Sequence, residues 1–162
     1  MNPEKKPDSA GNGKEKTMGN RAVITKDRDL NGIGVYLHWN GGRDSVEAFL
    51  AYCDLKRYRG NDSEYWAAML VNVCTNFFAS GLSCGVGVAK NLDCDNHDNG
   101  VYFIDDEWRI VGRKFGHGEE YRYDLEDMIK EIDKRQPEAM RITESEWKRF
   151  PDVKEKVFKA RV

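Results

Sequence analysis

The sequence has few of the features that place a protein in a membrane, a secretion pathway or a metal-binding class. No apolar run approaches the ~20 residues of a membrane-spanning helix, and the N-terminus has no apolar core of a signal peptide. Its four cysteines form no CxxC pair, so we expect reduced thiols. These absences predict a soluble cytoplasmic protein that needs no metal or cofactor.

Excess charge of one sign is also missing. The chain has 26 Lys and Arg against 28 Asp and Glu, a net charge of −2. This balance argues against a surface for a DNA or RNA polymer, while a local basic pocket for a small anion is compatible with it. The three histidines are scattered, and no Ser/His/Asp set, Cys/His set or acid/base carboxylate pair can be recognised. We therefore predict a protein that is not an enzyme.

The 162 residues are enough for one domain with a real core. Apart from Met1, residues 1–17 have no aromatic side chain and no Val, Leu or Ile. Such a segment cannot bury enough apolar surface to offset the entropy of ordering it. The composition therefore predicts a disordered tail at 1–17 and a single ligand-binding domain at 18–162.

Periodicity and turn residues predict the elements of this domain. Strands are expected at 21–27, 32–39, 83–90, 100–105 and 108–115, with the first two and the last two forming hairpins. Helices are expected from Asp44 or Ser45, from Glu64 towards Ser80 and around 125–134, and a final short helix opens with a capping box at Thr143 and Glu146. This order predicts an α+β fold, in which an antiparallel sheet of about five strands packs with two consecutive central helices and with C-terminal helices.

A glycine turn joins the second strand to the first helix. Its sequence, NGGRDS from Asn40 to Ser45, is similar to the SGGxDS loop with which PP-loop pyrophosphatases hold the pyrophosphate of ATP. Asn40 replaces the usual Ser, and two successive helices differ from the repeated strand–helix units of that family. The turn can therefore be a nucleotide loop of an ATP-dependent enzyme or a structural turn with Asp44 as helix cap.

Several residues have the chemistry to bind an adenine nucleotide. Arg109 and Arg113 are four apart on one predicted strand, so we expect both guanidinium groups on one sheet face, able to flank a pyrophosphate. Arg57 ends the first helix. Phe77 continues an apolar helix stripe, and the adjacent Phe78 is free to stack on a base. A solvated sheet face and core packing are the competing interpretations.

The segment NLDCDNHDNG, residues 91–100, resembles a calcium loop at first sight. An EF-hand needs Gly at loop position six and Glu at position twelve, where this chain has Asp98 and Ile104. We therefore predict no metal here. The alternatives are a polar turn or a loop in which Asn96 hydrogen-bonds a base or ribose.

Longer strings carry a family resemblance. MGNRAVITKDRDLNGIGVYLHWNGGRDSVEAFLAYCDLKRYR, YWAAMLVNVCTNFF, GLSCGVGVAKNLDCDNHDNGVY and WRIVGR together resemble the phage Thoeris anti-defence proteins of the first type. The resemblance spans about residues 18–113. It implies a sponge that sequesters cyclic ADP-ribose isomers made by bacterial TIR-domain enzymes, without degrading them. It further implies immune evasion in the bacterial host cytoplasm, a homodimer or a hexamer built from dimers and, in some members, a second site for cyclic di- or trinucleotides of the CBASS pathway.

The resemblance also suggests which residues bind these ligands. The matching positions for the cyclic ADP-ribose pocket are Arg57, Phe77, Phe78, Asp95, Asn96, Arg109 and Arg113. Those for the cyclic-oligonucleotide site are Arg21, Lys26, Arg28 and Lys90. The PP-loop enzyme and a phage interaction protein without nucleotide affinity stand as alternatives to the sponge.

Overall fold

The computed structural model describes residues 19–161, so the tail predicted at residues 1–17 lies outside the described residues. The strands are β1 (Ala22–Thr25), β2 (Ile33–Leu37), β3 (Cys84–Val88), β4 (Val101–Ile104) and β5 (Ile110–Lys114). The helices are α1 (Arg43–Leu55), α2 (Trp66–Phe78), α3 (Leu125–Lys134), α4 (Glu144–Trp147) and α5 (Phe150–Lys159). The predicted α+β class, the five strands and the two consecutive central helices are confirmed.

The five strands form one sheet in the order β3-β2-β1-β4-β5. The pairs β1–β2 and β4–β5 are antiparallel hairpins, as predicted. The pair β2–β3 is also antiparallel, but β1 and β4 run parallel. The exception arises because the segment 89–100 carries the chain from β3 at one edge to β4 on the far side of β1. Strands β3 and β4 therefore do not pair, although their neighbouring positions in the sequence suggested an antiparallel set.

Side chains of alternate residues on β1 and β4 point to opposite faces of the sheet, where they belong to two separate apolar clusters. Ile24 and Tyr102 face the helices and join the main core, whereas Val23, Val101 and Phe103 face the other way. The second cluster is covered by side chains that include those of Leu92 and Cys94 from the segment 89–100. Helices therefore cover one face of the sheet and an irregular segment covers the other.

Helix α1 lies at the centre of the helical layer, where it packs against α2, α3 and α5. All thirteen of its residues are buried, including the charged Glu47 and Asp54. A buried carboxylate is tolerated when basic groups pair with it. Here the C-terminal region supplies them: Arg161 contacts Glu47, and Lys156 contacts Asp54.

The helix starts differ in part from the sequence prediction. Helix α1 begins at Arg43 after the extended Gly42, so Asp44 lies in the first turn and is not the cap. Helix α2 begins at Trp66, and Asp62 instead accepts hydrogen bonds in the turn that precedes it. The capping box of Thr143 is confirmed in full.

Candidate functional site

A cavity of about 680 Å³ lies between strand β5 and helix α5. This volume is within the range of small-molecule sites. Five basic and two acidic side chains line it: Arg43, Arg109, Lys156, Lys159 and Arg161, with Asp152 and Glu155. The apolar part of the wall comes largely from β5, at Ile110 and Val111. The excess of basic groups makes this cavity suited to an anion.

A network of partly buried ion pairs holds Arg43 and Arg161 in the cavity wall. Glu47 bridges Arg43 at 3.0 Å and Arg161 at 2.6 Å. Glu119 bridges the same Arg43, at 2.7 Å, and Arg113. Three guanidinium groups thus share two carboxylates, so the network carries one net positive charge. An uncompensated charge in a partly buried network attracts an anion more strongly than one in water.

The guanidinium groups of Arg43 and Arg161 stay protonated. Burial opposes the charge of Arg43, but the hydrogen bonds to Glu119 and Glu47 outweigh it and raise the pKa of Arg43. The hydrogen bond to Glu47 raises the pKa of Arg161. The positive charges of Arg43 and Arg161 are therefore independent of pH over the physiological range.

Two further cations of the cavity, Arg109 and Lys159, are accessible to a ligand. The Arg109 side chain is 40% exposed and Nε donates to Asp105 at 2.8 Å. Lys159, at the end of α5, is 76% exposed and lies 3.5 Å from Glu155. Exposed ion pairs of this kind are weak, so a phosphate group can compete for both cations.

Two aromatic rings lie next to the cavity wall. The guanidinium group of Arg161 lies 4.2 Å from the ring centroid of Tyr121 and 4.5 Å from that of Phe158. Both rings are nearly half exposed. They hold Arg161 in place by cation–π contacts and present aromatic surface beside the basic groups.

The glycine turn does not form a phosphate cradle in this structure. The amide of Gly41 donates to the carbonyl of Asn20, and that of Asp44 donates to the carbonyl of Glu120. A Cβ on Gly42 would lie 2.1 Å from a carboxylate oxygen of Glu120. Protein groups therefore occupy the space in front of the helix where a PP-loop would hold a phosphate.

The carboxylate of Asp44 has a structural role in the same turn. It accepts from the backbone amides of Arg122, at 2.5 Å, and Tyr123, at 2.7 Å, as well as from Ser45. These bonds attach the segment that follows β5 to the start of α1. Because that segment carries Glu119, Asp44 indirectly positions the ion pairs of the cavity wall.

The predicted cyclic ADP-ribose residues do not share one surface within a chain. Arg109 lines the cavity, whereas Arg113 does not. The guanidinium carbon of Arg113 lies 3.8 Å from the ring centroid of Tyr102. Arg109 precedes β5 and the extra residue Val111 interrupts the strand's alternation, so the prediction of two arginines spaced along one strand is wrong. Arg57 is exposed in the turn after α1 and is not among the cavity residues.

The predicted aromatic and polar ligands lie elsewhere. Phe77 is a core residue in edge-to-face contact with Phe49, and the half-buried Phe78 packs against the same ring. Asn96 is buried, and its side-chain amide donates hydrogen bonds to the carbonyls of Asp93 and Gly100 in its own loop.

Asp95 is exposed in that same loop. The loop belongs to the segment that covers the face of the sheet opposite the helices, whereas Phe77 lies among the helices. The residues predicted for the cyclic ADP-ribose pocket therefore do not line one pocket within a single chain.

The residues of the predicted second site are each held by separate contacts. Arg21 pairs with Asp98 and Asp93, and Arg28 donates to the carbonyl of Val111. Two lysines complete the set: Lys26 pairs with Asp106 and Lys90 contacts Asn31. Arg21 lies before β1 and the others lie around the β1–β2 turn, so the four do not form one cluster.

Sequence reasoning missed most of the cavity. The sequence places Arg43 only in the glycine turn and predicts no role for Lys156, Lys159 or Arg161. The available signal was the basic stripe of the last helix, where lysines recur at helical spacing beside apolar residues. That stripe predicts an exposed basic face, but only the fold places it against Arg109.

Residues 19–161 have neither a cluster of metal ligands nor a helix suited to a bilayer. In this range no group of three or more His, Cys, Asp and Glu side chains is arranged to hold a metal ion. None of the helices described there is long and apolar enough to cross a bilayer. Comparisons of the chain with protein-family models, with curated proteins and with solved structures find no match.

Proposed function

We propose that this protein binds a small phosphate-bearing nucleotide in the cavity between β5 and α5 and holds it without chemical change. The observation that carries the proposal is the basic wall, in which five cations face two anions. Phosphate groups are the common cellular anions that such guanidinium and ammonium groups bind best.

The resemblance in the sequence names the class of nucleotide. A cyclic ADP-ribose isomer carries two phosphate charges and an adenine ring. The cations of the wall would take the phosphates, and Tyr121 or Phe158 at the rim would offer a ring for the base. In this proposal the protein acts in the bacterial host cytoplasm as a phage anti-defence sponge against TIR-domain signalling.

The energies are adequate for sequestration. Two or three charge-assisted hydrogen bonds and one stacked base supply on the order of 4–12 kcal/mol before the costs of binding. The largest of these sums, less a binding cost of about 4 kcal/mol, leaves about 8 kcal/mol, which corresponds to a micromolar affinity. A sponge acts stoichiometrically, so slow release of the ligand is what the function needs.

Calorimetry against a panel of cyclic ADP-ribose isomers and cyclic di- and trinucleotides tests the proposal. We expect at least one isomer to bind, and we expect Arg109→Ala to weaken it roughly 10- to 150-fold, the equivalent of about 1.5–3 kcal/mol. Arg57→Ala is the matched control, because Arg57 is an exposed arginine outside the cavity. An unchanged affinity in Arg109→Ala would refute the cavity as the binding site.

The fate of the ligand separates a sponge from an enzyme. After incubation and denaturation of the protein, we expect the bound nucleotide to be recovered intact. Recovery of a hydrolysed product, or magnesium-dependent release of pyrophosphate from ATP, would instead support the PP-loop enzyme. An absence of binding across the whole panel would leave the interaction protein as the remaining hypothesis.

A further inference from the structure

The edge strand β3 has one side without a neighbouring strand in the described part of the chain. On its inner side, Ser83 accepts from His38 and Ala89 donates to Gly32, and the antiparallel register continues this pattern through Gly85 and Gly87. The backbone groups of the alternate residues must then point outward. Cys84, Val86 and Val88 therefore present a row of N–H and C=O groups at the edge of the sheet.

Exposed apolar side chains accompany this row. Val86 is 53% exposed, Val88 39% and the neighbouring Ile33 on β2 45%. Leu82, which precedes the strand, is 95% exposed and Trp39, across the ladder from it, is 45% exposed. Five of the large hydrophobic residues that the described chain exposes thus lie along one sheet edge. Contiguous apolar surface of this kind marks an interaction site.

The edge also lacks the features that keep strands apart. Natural proteins protect such edges with charged side chains, proline or bulges. The segment 81–89 contains no charged residue and no proline, and the β2–β3 register is regular. The opposite edge differs, because β5 carries Arg113 and Lys114, contains a bulge and is crossed by Arg28.

We propose that β3 pairs antiparallel with β3 of a second copy of this chain, joining two sheets into one of ten strands. A twofold axis beside Val86 places Val86 against Val86 of the second copy and Cys84 against Val88, so every outward N–H and C=O group gains a partner. The valines and Ile33 then form one apolar stripe across the axis.

A second copy fits this edge because a twofold contact sets each residue of the strand opposite a residue of the same strand in the other copy. Any charge on the strand would meet a like charge, and the strand has none. A five-residue strand pairing buries less surface than a standard interface, so we expect a weak dimer with a dissociation constant in the micromolar range. The proposal does not depend on what the cavity binds.

Sedimentation equilibrium over a range of protein concentrations tests the proposal. We expect the wild-type chain to dimerise and Val86→Lys to raise the dissociation constant about tenfold or more, because two ammonium groups are brought together at the axis. Val111→Lys is the matched control, since Val111 is a 46% exposed valine on the opposite edge strand. A wild-type chain that stays monomeric, or equal effects of the two variants, would overturn the proposal.

Cross-linking tests the register independently of stability. Directly opposed residues in a hydrogen-bonded antiparallel pair have Cα atoms about 5.5 Å apart, within the range that a disulfide spans. We expect Val86→Cys to form a disulfide-linked dimer on mild oxidation, well above the background that the native cysteines give in the wild-type chain. Val111→Cys should remain at that background. A linked dimer of Val111→Cys with none of Val86→Cys would refute the β3 pairing.

Discussion

Replacing Asp44 by alanine is expected to lower the free energy of unfolding by about 3–5 kcal/mol. The carboxylate is 2% exposed and accepts three backbone hydrogen bonds, from Ser45, Arg122 and Tyr123. Each donor that loses a buried charged acceptor costs about 1–3 kcal/mol. We use the lower part of that range because Arg122 and Tyr123 lie at the surface, where water can reach their amides.

Two further variants make this estimate specific. Asp44→Asn keeps only one acceptor oxygen, and its amino group would face backbone donors, so we expect a loss of about 2–4 kcal/mol. Asp124→Ala removes an exposed helix cap that accepts a single bond, from Asp127 at 3.1 Å, and should cost about 0.5–1 kcal/mol. The order of stability is then wild type, Asp124→Ala, Asp44→Asn and Asp44→Ala.

Urea unfolding followed by circular dichroism measures these differences, with the midpoint expected to fall and the slope to stay constant. A loss of about 3–5 kcal/mol is a large part of a typical stability of about 5–15 kcal/mol. Limited proteolysis gives a second measurement, because the segment 116–121 should be cut faster once Asp44 no longer holds it. If Asp44→Ala lost no more stability than Asp124→Ala, the structural role assigned to this carboxylate would be refuted.

Two other predictions concern thiols and acid. Burial raises the pKa of the thiols of Cys53 and Cys74, whereas Cys84 and Cys94 are only partly buried, so iodoacetamide should label Cys84 and Cys94 before the other two, as measured by peptide mass spectrometry. Equal labelling of all four in the folded protein would contradict the core packing. Burial acts to raise the pKa of Asp105 and of Glu146, but hydrogen bonds outweigh it and both pKa values are lowered. Their stabilisation is therefore full above the unfolded-state values of about 4 and is lost as the pH falls through the lower folded-state values, so the urea midpoint should drop below about pH 4. An Asp105→Asn, Glu146→Gln double variant should lose part of this dependence, and a pH profile identical to the wild type would refute the assignment.

Local patterns in the sequence were sufficient for most of the fold. The alternation in 32–39 and the turn before it predicted the β1–β2 hairpin, which is confirmed. The capping box at Thr143 was recognised because a cap depends on residues only three positions apart. Such features depend on neighbours along the chain, so the sequence determines them nearly alone.

Pairings between distant segments could not be predicted in this way. The parallel pair β1–β4 depends on the path of the segment 89–100 across the sheet, for which the sequence has no periodic signal. Helical periodicity by itself predicts one buried face, yet the structure buries the polar face of α1 as well, because the C-terminal region packs over it and pairs Glu47 with Arg161.

The candidate site shows the same division. The sequence by itself identified Arg109 as a cation able to bind a phosphate, from its chemistry and its place near a strand. Only the tertiary structure brought Arg109 together with Arg43, Lys159 and Arg161, which lie up to 118 positions from one another in the chain (161 − 43). The physical reason is that electrostatic attraction depends on distance in space, which folding sets and which residue order does not reveal.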